Sequence, residues 1–231
     1  MVKFSNLEKK INIKFINPKL LEEAFTHRSF LNERGGKDVN HNERLEFLGD
    51  AVLEIGVTEF LFHEFPDKPE GELTALRAAL VNAVMLLEIA QNLGLEDYLR
   101  LSKGEEKESG KGKHFILANS MEALIGAIYL DRGFDVANEF IKKFVCTNIK
   151  TVLDNKLWQD AKSLFQEKAQ EITGFTPTYE VVGESGPDHK KYFTVGVYLN
   201  NEMIASGDGF SKQDAQRKAA ENALKLKGWE E

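Results

Sequence analysis

The hydrophobic pattern of this chain changes period once, near residue 158, and that change restricts it to two domains of different architecture. Ahead of it, LEKKI is followed by longer segments with helical character. These are PKLLEEAFTHRSFL, NERLEFLGDAVLEIGVTEFLFHEF, GELTALRAALVNAVMLLEIAQNLG, ANSMEALIGAIYLDRG and FDVANEFIKKFVCTNIKTVL. Pro66 and Pro69 break the chain between the second and third of these. Gly94 and Gly133 are expected helix stops. The polar, glycine-bearing stretch 102–114 is expected to be a mobile loop. Beyond the change, DAKSLFQEKAQEIT reads as one more helix, and TYEVVGE, YFTVGVYL and EMIASG read as strands. Phe193, Val195, Val197 and Leu199 alternate with Thr194, Gly196 and Tyr198, and Asn200-Asn201 suits a hairpin turn. A last helix, SKQDAQRKAAENALKLKG, is capped by Ser211. The expected fold is mostly α: an all-helical domain over 1–150, a linker over 151–158, and a small α-β-β-β-α domain over 159–231.

Composition narrows the setting. With 42% hydrophobic and 29% charged residues, the 231-residue chain can form ordinary cores. No apolar run is long enough for a transmembrane helix, and the start, MVKFSNLEKKINIKF, lacks the apolar centre of a secretory signal. A lone cysteine, Cys146, cannot pair within the chain and lies in an apolar stretch, so a core role and a reduced, cytoplasmic location are expected. The formal net charge of −7 is the reverse of a nucleic-acid-binding footprint. Any such binding has to rest on local sites.

The stretch HNERLEFLGDAVLE (41–54) carries four carboxylates. On a helix, Glu46, Asp50 and Glu54 fall at about −60°, −20° and +20° from Glu43, while Leu45, Leu48 and Val52 fall on the opposite side. Like charges at this spacing repel by roughly 0.2–0.5 kcal/mol per pair. A solvated acidic face is the ordinary meaning of such a row. Phe47, at about +40° among the carboxylates, argues that this face meets something.

NERLEFLGDAVL resembles the signature of the ribonuclease III family. THRS (26–29), PEGELTALRAALVN (69–82) and ILANSMEALIGAIYLDRG (116–133) fall around it in family order. FQE (165–167), GPDH (186–189) and GFSKQDAQRKAAENAL (209–224) are similar to a double-stranded-RNA-binding domain. The resemblance implies a homodimeric endoribonuclease domain followed by a duplex-RNA-binding domain. The implied activity is Mg2+-dependent cleavage of double-stranded RNA, with Mn2+ as a substitute. The products would carry 5′-phosphate and 3′-hydroxyl ends with short 3′ overhangs, and the substrates would be rRNA precursors and structured mRNAs. It implies Glu46, Asp50 and Glu122 as metal ligands, with Asp50 and Glu122 at the centre of catalysis. It also implies accessory catalytic roles for Glu43 and Glu70, and contact of Phe47 with the other subunit. Glu54 lies outside that set. His27 and Arg28 are read as structural, and His41 and Asn42 as residues that open and position the signature helix.

Two departures stand out. Many family members carry Asp where this chain has Asn119, which keeps an oxygen for a metal but loses a charge. Asn119 is therefore either a weakened metal ligand or a helix N-cap. In the second domain, Ser163 and Gln166 match positions that reach 2′-hydroxyls, His189 a loop contact, and Lys212 a phosphate contact. Gln213 and Gln216 stand where lysines are common, and Arg217 and Lys218 are the expected compensation. Residues 156–231 hold 10 Lys and Arg against 12 Asp and Glu, so binding is expected to be weaker and less salt-sensitive than in a basic version. Two other readings remain open: a catalytically silent RNA-binding dimer, and a helical phosphohydrolase acting on nucleotides.

Overall fold

The computed structural model describes residues 4–34, 40–107, 110–158, 160–187 and 191–229, which divide into two compact units, Met1–Trp158 and Gln159–Glu231. The first unit is built from α1 (Ser5–Ile11), α2 (Pro18–Ala24), α3 (Arg28–Arg34), α4 (Glu43–Glu64), α5 (Glu70–Val81), α6 (Ala83–Asn92), α7 (Lys103–Lys107), α8 (Lys111–Arg132), α9 (Phe134–Phe144) and α10 (Ile149–Asp154). Short 3-10 turns lie at Leu95–Tyr98 and Cys146–Asn148.

Two 22-residue helices, α4 and α8, form the axis of this unit. They meet backbone to backbone. A Cβ added to Gly49 would lie 1.8 Å from the carbonyl oxygen of Glu122, and one added to Gly126 would lie 2.2 Å from that of Leu45. Around this crossing α4 buries Leu45, Val52, Leu53 and Val57, and α8 buries Met121, Leu124, Ile125 and Ile128. The start of α4 is held by Asn42, whose backbone N–H donates to Thr26 (2.9 Å) and whose amide donates to the Ala24 carbonyl (3.3 Å). At the far end of α8, Asp131 accepts from the backbone N–H groups of Ile16 and Asn17, both at 2.8 Å. Gly133, at φ +83°, ends α8 as expected.

Several boundaries differ from the sequence reading. The run 70–93 is two helices, because the Asn82 side chain accepts from the N–H groups of Val84 and Met85 and caps α6. Segment 18–31 is likewise interrupted at Thr26, which is buried and bridges to Arg100. The expected loop at 102–114 contains α7 and the first turn of α8. Residues 151–158 are part of the first unit rather than a linker: Val152 is fully buried and Trp158 packs on the helical core. Apolar contact decided this segment over its polar composition. No single described helix is long and apolar enough to cross a membrane; α5 and α6 together reach that length, but they bend by 44° and bury Leu76, Leu80, Leu86 and Ile89 in the core.

The second unit is α11 (Ala161–Thr173), β1 (Thr178–Ser185), β2 (Tyr192–Leu199), β3 (Glu202–Gly209) and α12 (Lys212–Lys227). The strands form an antiparallel sheet in sequence order. Asn200 and Asn201, at φ +47° and +66°, make the two-residue hairpin. An alanine face on α12 (Ala219, Ala220, Ala223) lets this helix sit close to Val197 and Ala205, with Phe165 of α11 stacked on Trp229.

Gly49→Ala is expected to lower unfolding free energy by about 2–3 kcal/mol, because neither backbone at the crossing can give way. Gly71→Ala, where a Cβ meets nothing within 4 Å, serves as the control and is expected to be neutral or slightly stabilising. Urea titration of both variants measures the difference.

Candidate metal centre and nucleic-acid interface

The α4–α8 crossing assembles the acidic site. Gly49 touches the backbone of Glu122, so Glu46 and Asp50 on α4 flank Glu122 on α8. Burial, followed by the charges of Asp50 and Glu46, pushes the Glu122 carboxyl up to about 7. Glu46 is also raised, chiefly by burial, with Glu43 and Asp50 adding repulsion and a hydrogen bond from Asn119 opposing it. Among the described residues, the side chains of Asp50 and Glu122 have no hydrogen-bond or ion-pair partner.

Asn119 sits one turn before Glu122, well inside α8, so it is not a helix N-cap. Its Nδ2 donates to Glu46 Oε1 at 2.9 Å. As the side chain stands, Asn119 presents a donor to a carboxylate rather than an oxygen to an ion. Glu43 is exposed and lies 3.5 Å from Arg28 Nη1 and 3.8 Å from His41 Nδ1. Arg28 is thus a counter-charge that helical geometry within 41–54 could not reveal, because it arrives from α3. Glu70 begins α5, is exposed, and accepts from Thr74 Oγ1 at 3.1 Å. No contact among the described residues joins it to the other carboxylates. Glu54 is exposed, and Phe47 is 82% exposed beside the acidic row. His27 pairs through Nδ1 with Ser29 Oγ (2.9 Å), which in turn accepts from the Ser102 N–H (3.1 Å). That chain is structural.

The donor set suits a hard dication: carboxylate oxygens, surplus negative charge and, among the described residues, no basic partner at Asp50 or Glu122. No three His, Cys, Asp or Glu side chains among the described residues are grouped closely enough to form a ready-made site.

On the second unit, α11 begins at Asp160, whose carboxylate accepts from Ser163 N–H (3.2 Å) and Ser163 Oγ (2.8 Å). Ser163 and Gln166 are both exposed, one turn apart. Lys212 opens α12 exposed, with Nζ 5.6 Å over the Phe193 ring. Arg217 does not supply the free charge expected of it. It is chelated between Asp214 (2.8 Å) and Glu221 (2.6 Å), and Lys218 lies 3.8 Å from Asp214. The Arg217 hydrogen bond holds the Asp214 carboxyl below its usual range, so both charges are spent locally. Lys162 was missed: its Nζ donates to Gln216 Oε1 at 2.7 Å, placing a cation from α11 beside α12. Its position next to Ser163 was the available signal. His189 lies outside the described residues.

An unfolded Glu122 loses its proton near the ordinary glutamate value, whereas the folded, ion-free protein holds it up to about 7. Stability from this group is therefore full at low pH and lost as pH rises through 7. Glu122→Gln is expected to raise the melting temperature in EDTA at about pH 8 and to change it little near pH 5, read by calorimetry.

Residues 17–149 match the family model described as Ribonuclease-III-like, and 161–227 match the double-stranded RNA binding motif. The chain is 44% identical over 221 residues to ribonuclease 3 of Carboxydothermus hydrogenoformans, covering 96% of this chain and 94% of that one. It is 45% identical over 219 residues to ribonuclease 3 of Natranaerobius thermophilus, covering 94% of each. Among solved structures, the nuclease domain of the Campylobacter jejuni enzyme, described in terms of flexibility in its dimer-forming region, aligns at a TM-score of 0.58 and 44% identity over 63% of this chain and 98% of that one. With its nuclease unit and its RNA-binding unit both matched, the chain belongs to the ribonuclease III family of endoribonucleases.

Proposed function

We propose that the protein is a Mg2+-dependent, double-strand-specific endoribonuclease acting as a homodimer in the cytoplasm on rRNA precursors and structured mRNAs. The observation that carries this reading is the trio Glu46, Asp50 and Glu122, brought together at a glycine-mediated helix crossing and left without basic partners at Asp50 and Glu122. These carboxylates would hold Mg2+, or Mn2+ in its place. When bound, such an ion supplies a lowered pKa for water and neutralises charge developing on phosphate. Glu122 has to be ionised to serve, so ion binding is expected to strengthen as pH rises through 7. Addition of water to phosphorus with departure of the 3′ oxygen leaves 5′-phosphate and 3′-hydroxyl ends. Glu43 and Glu70, both exposed, would serve as accessory acids near the scissile phosphate.

Ser163 and Gln166 on α11 are placed to meet 2′-hydroxyls, a contact that selects RNA duplexes over DNA without reading bases. Lys212 and the first N–H groups of α12 meet phosphate. Phe47, 82% exposed, packs against a second copy, so that each subunit cuts one strand and leaves short 3′ overhangs. A silent RNA-binding dimer is the second reading. It is favoured by one observation, the donor that Asn119 turns toward Glu46.

Incubation of the purified protein with a long RNA duplex, single-stranded RNA and duplex DNA, with and without Mg2+, separates the two. Mg2+-dependent cutting of the RNA duplex alone, lost in Glu122→Gln, is the expected result; binding without cutting at any Mg2+ concentration selects the silent dimer. Asn119→Asp is expected to reach half-maximal rate at lower Mg2+. In duplex-RNA titrations, Lys212→Ala is expected to weaken binding about 5-fold, the order of one phosphate contact, and Arg217→Ala much less.

A further inference from the structure

We propose that Asn119 is a positioning residue that stands in for a cation at Glu46, keeping the acidic site stable when no ion is bound. This rests on the reading of Glu46, Asp50 and Glu122 as the ion-holding trio.

An ionised carboxylate only accepts hydrogen bonds, so the Asn119 amide has to turn its N–H toward Glu46, as it does at 2.9 Å. Hydrogen bonds with one charged partner are stronger than neutral ones. This one is half-buried on both sides and anchored in the interior of α8, where water competes poorly. Oε1 of Glu46 is thereby held, while Oε2 is left for a ligand. Asp50 and Glu122 have no such donor. Among the described residues the amide is therefore the one compensating group for Glu46, Asp50 and Glu122, which otherwise repel one another. An aspartate at 119 would remove the donor and add a fourth carboxylate in the same place. The natural residue gives up ion affinity and gains a fold that does not depend on the ion.

The test is thermal unfolding of the full chain at mildly alkaline pH, in EDTA and in Mg2+, for the natural protein, Asn119→Asp, and Asn119→Asp combined with Glu46→Gln. In EDTA, Asn119→Asp is expected to melt lower by on the order of 5 °C. The double variant is expected to recover, because the pair is rebuilt with donor and acceptor exchanged. Mg2+ is expected to raise the melting point of Asn119→Asp more than that of the natural protein. Equal melting of Asn119→Asp and the natural protein in EDTA, or no recovery in the double variant, overturns the proposal. If Asn119→Asp alone does not fold, folding of the double variant supports the proposal and its failure to fold overturns it. The EDTA series tests Asn119 by itself. If that series behaves as expected while Mg2+ shifts no protein, the role of Asn119 stands and the ion-site reading fails; if Mg2+ stabilises the natural protein but the EDTA series is flat, the reverse holds.

Discussion

The contact between Gly49 and the Glu122 carbonyl, with its counterpart between Gly126 and the Leu45 carbonyl, is what the nuclease unit is built around. Side-chain-mediated helix packing holds axes about 8–10 Å apart. Two glycines remove the side chains at the crossing and let the backbones touch. That contact brings carboxylates from two helices together, where burial first and then the charges of Asp50 and Glu46 push Glu122 up to about 7. The remaining helices support the crossing. Asn42 anchors the start of α4 and Asp131 anchors the end of α8, each through hydrogen bonds to distant backbone.

The site works against its own stability. Glu46 and Glu122 are half-buried beside the exposed Asp50, and among the described residues the one hydrogen bond relieving the three comes from a neutral amide. Replacing Glu46 and Glu122 with apolar residues would favour folding, since burial of charge without a charged partner is costly. Their presence makes sense as chemistry that needs negative charge ready for a cation. Around the rim the logic changes: Glu43 is exposed and already paired with Arg28.

The second unit shows how residue counts mislead about surface charge. Arg217 and Lys218 are two cations in sequence, yet both face Asp214, and Arg217 also binds Glu221. Exposed pairs of this kind contribute little to stability. Their main consequence is that α12 offers less positive charge to a phosphate backbone than its lysines and arginines suggest. Lys212, ahead of the acidic residues, and Lys162, reaching over from α11, remain near that surface.

Much was legible in the sequence because it is local. The change of period near 158 separated a helical unit from an α-β-β-β-α unit, and Asn200-Asn201 marked its hairpin. The acidic row and exposed Phe47 followed from helical geometry alone, since Glu43, Glu46, Phe47, Asp50 and Glu54 all belong to one helix. Other features depend on partners far along the chain. Asn82 split one apolar run in two through a cap, and Val152 and Trp158 drew an apparent linker into the first core. That Asn119 donates to Glu46 and that Arg28 meets Glu43 were decided by packing between helices, whereas the partners of Arg217 lie three and four residues away on its own helix and their spacing was open to a sequence reading. By itself, then, the sequence determined which faces are apolar, the helical character of the first unit and the α-β-β-β-α order of the second, and which residue types are available for chemistry, because periodicity and turn propensity are set by neighbours a few positions away. Only the tertiary structure decided which carboxylates of the acidic site find a partner, because those partners arrive from other helices, as Asn119 reaches Glu46 across a separation of 73 residues.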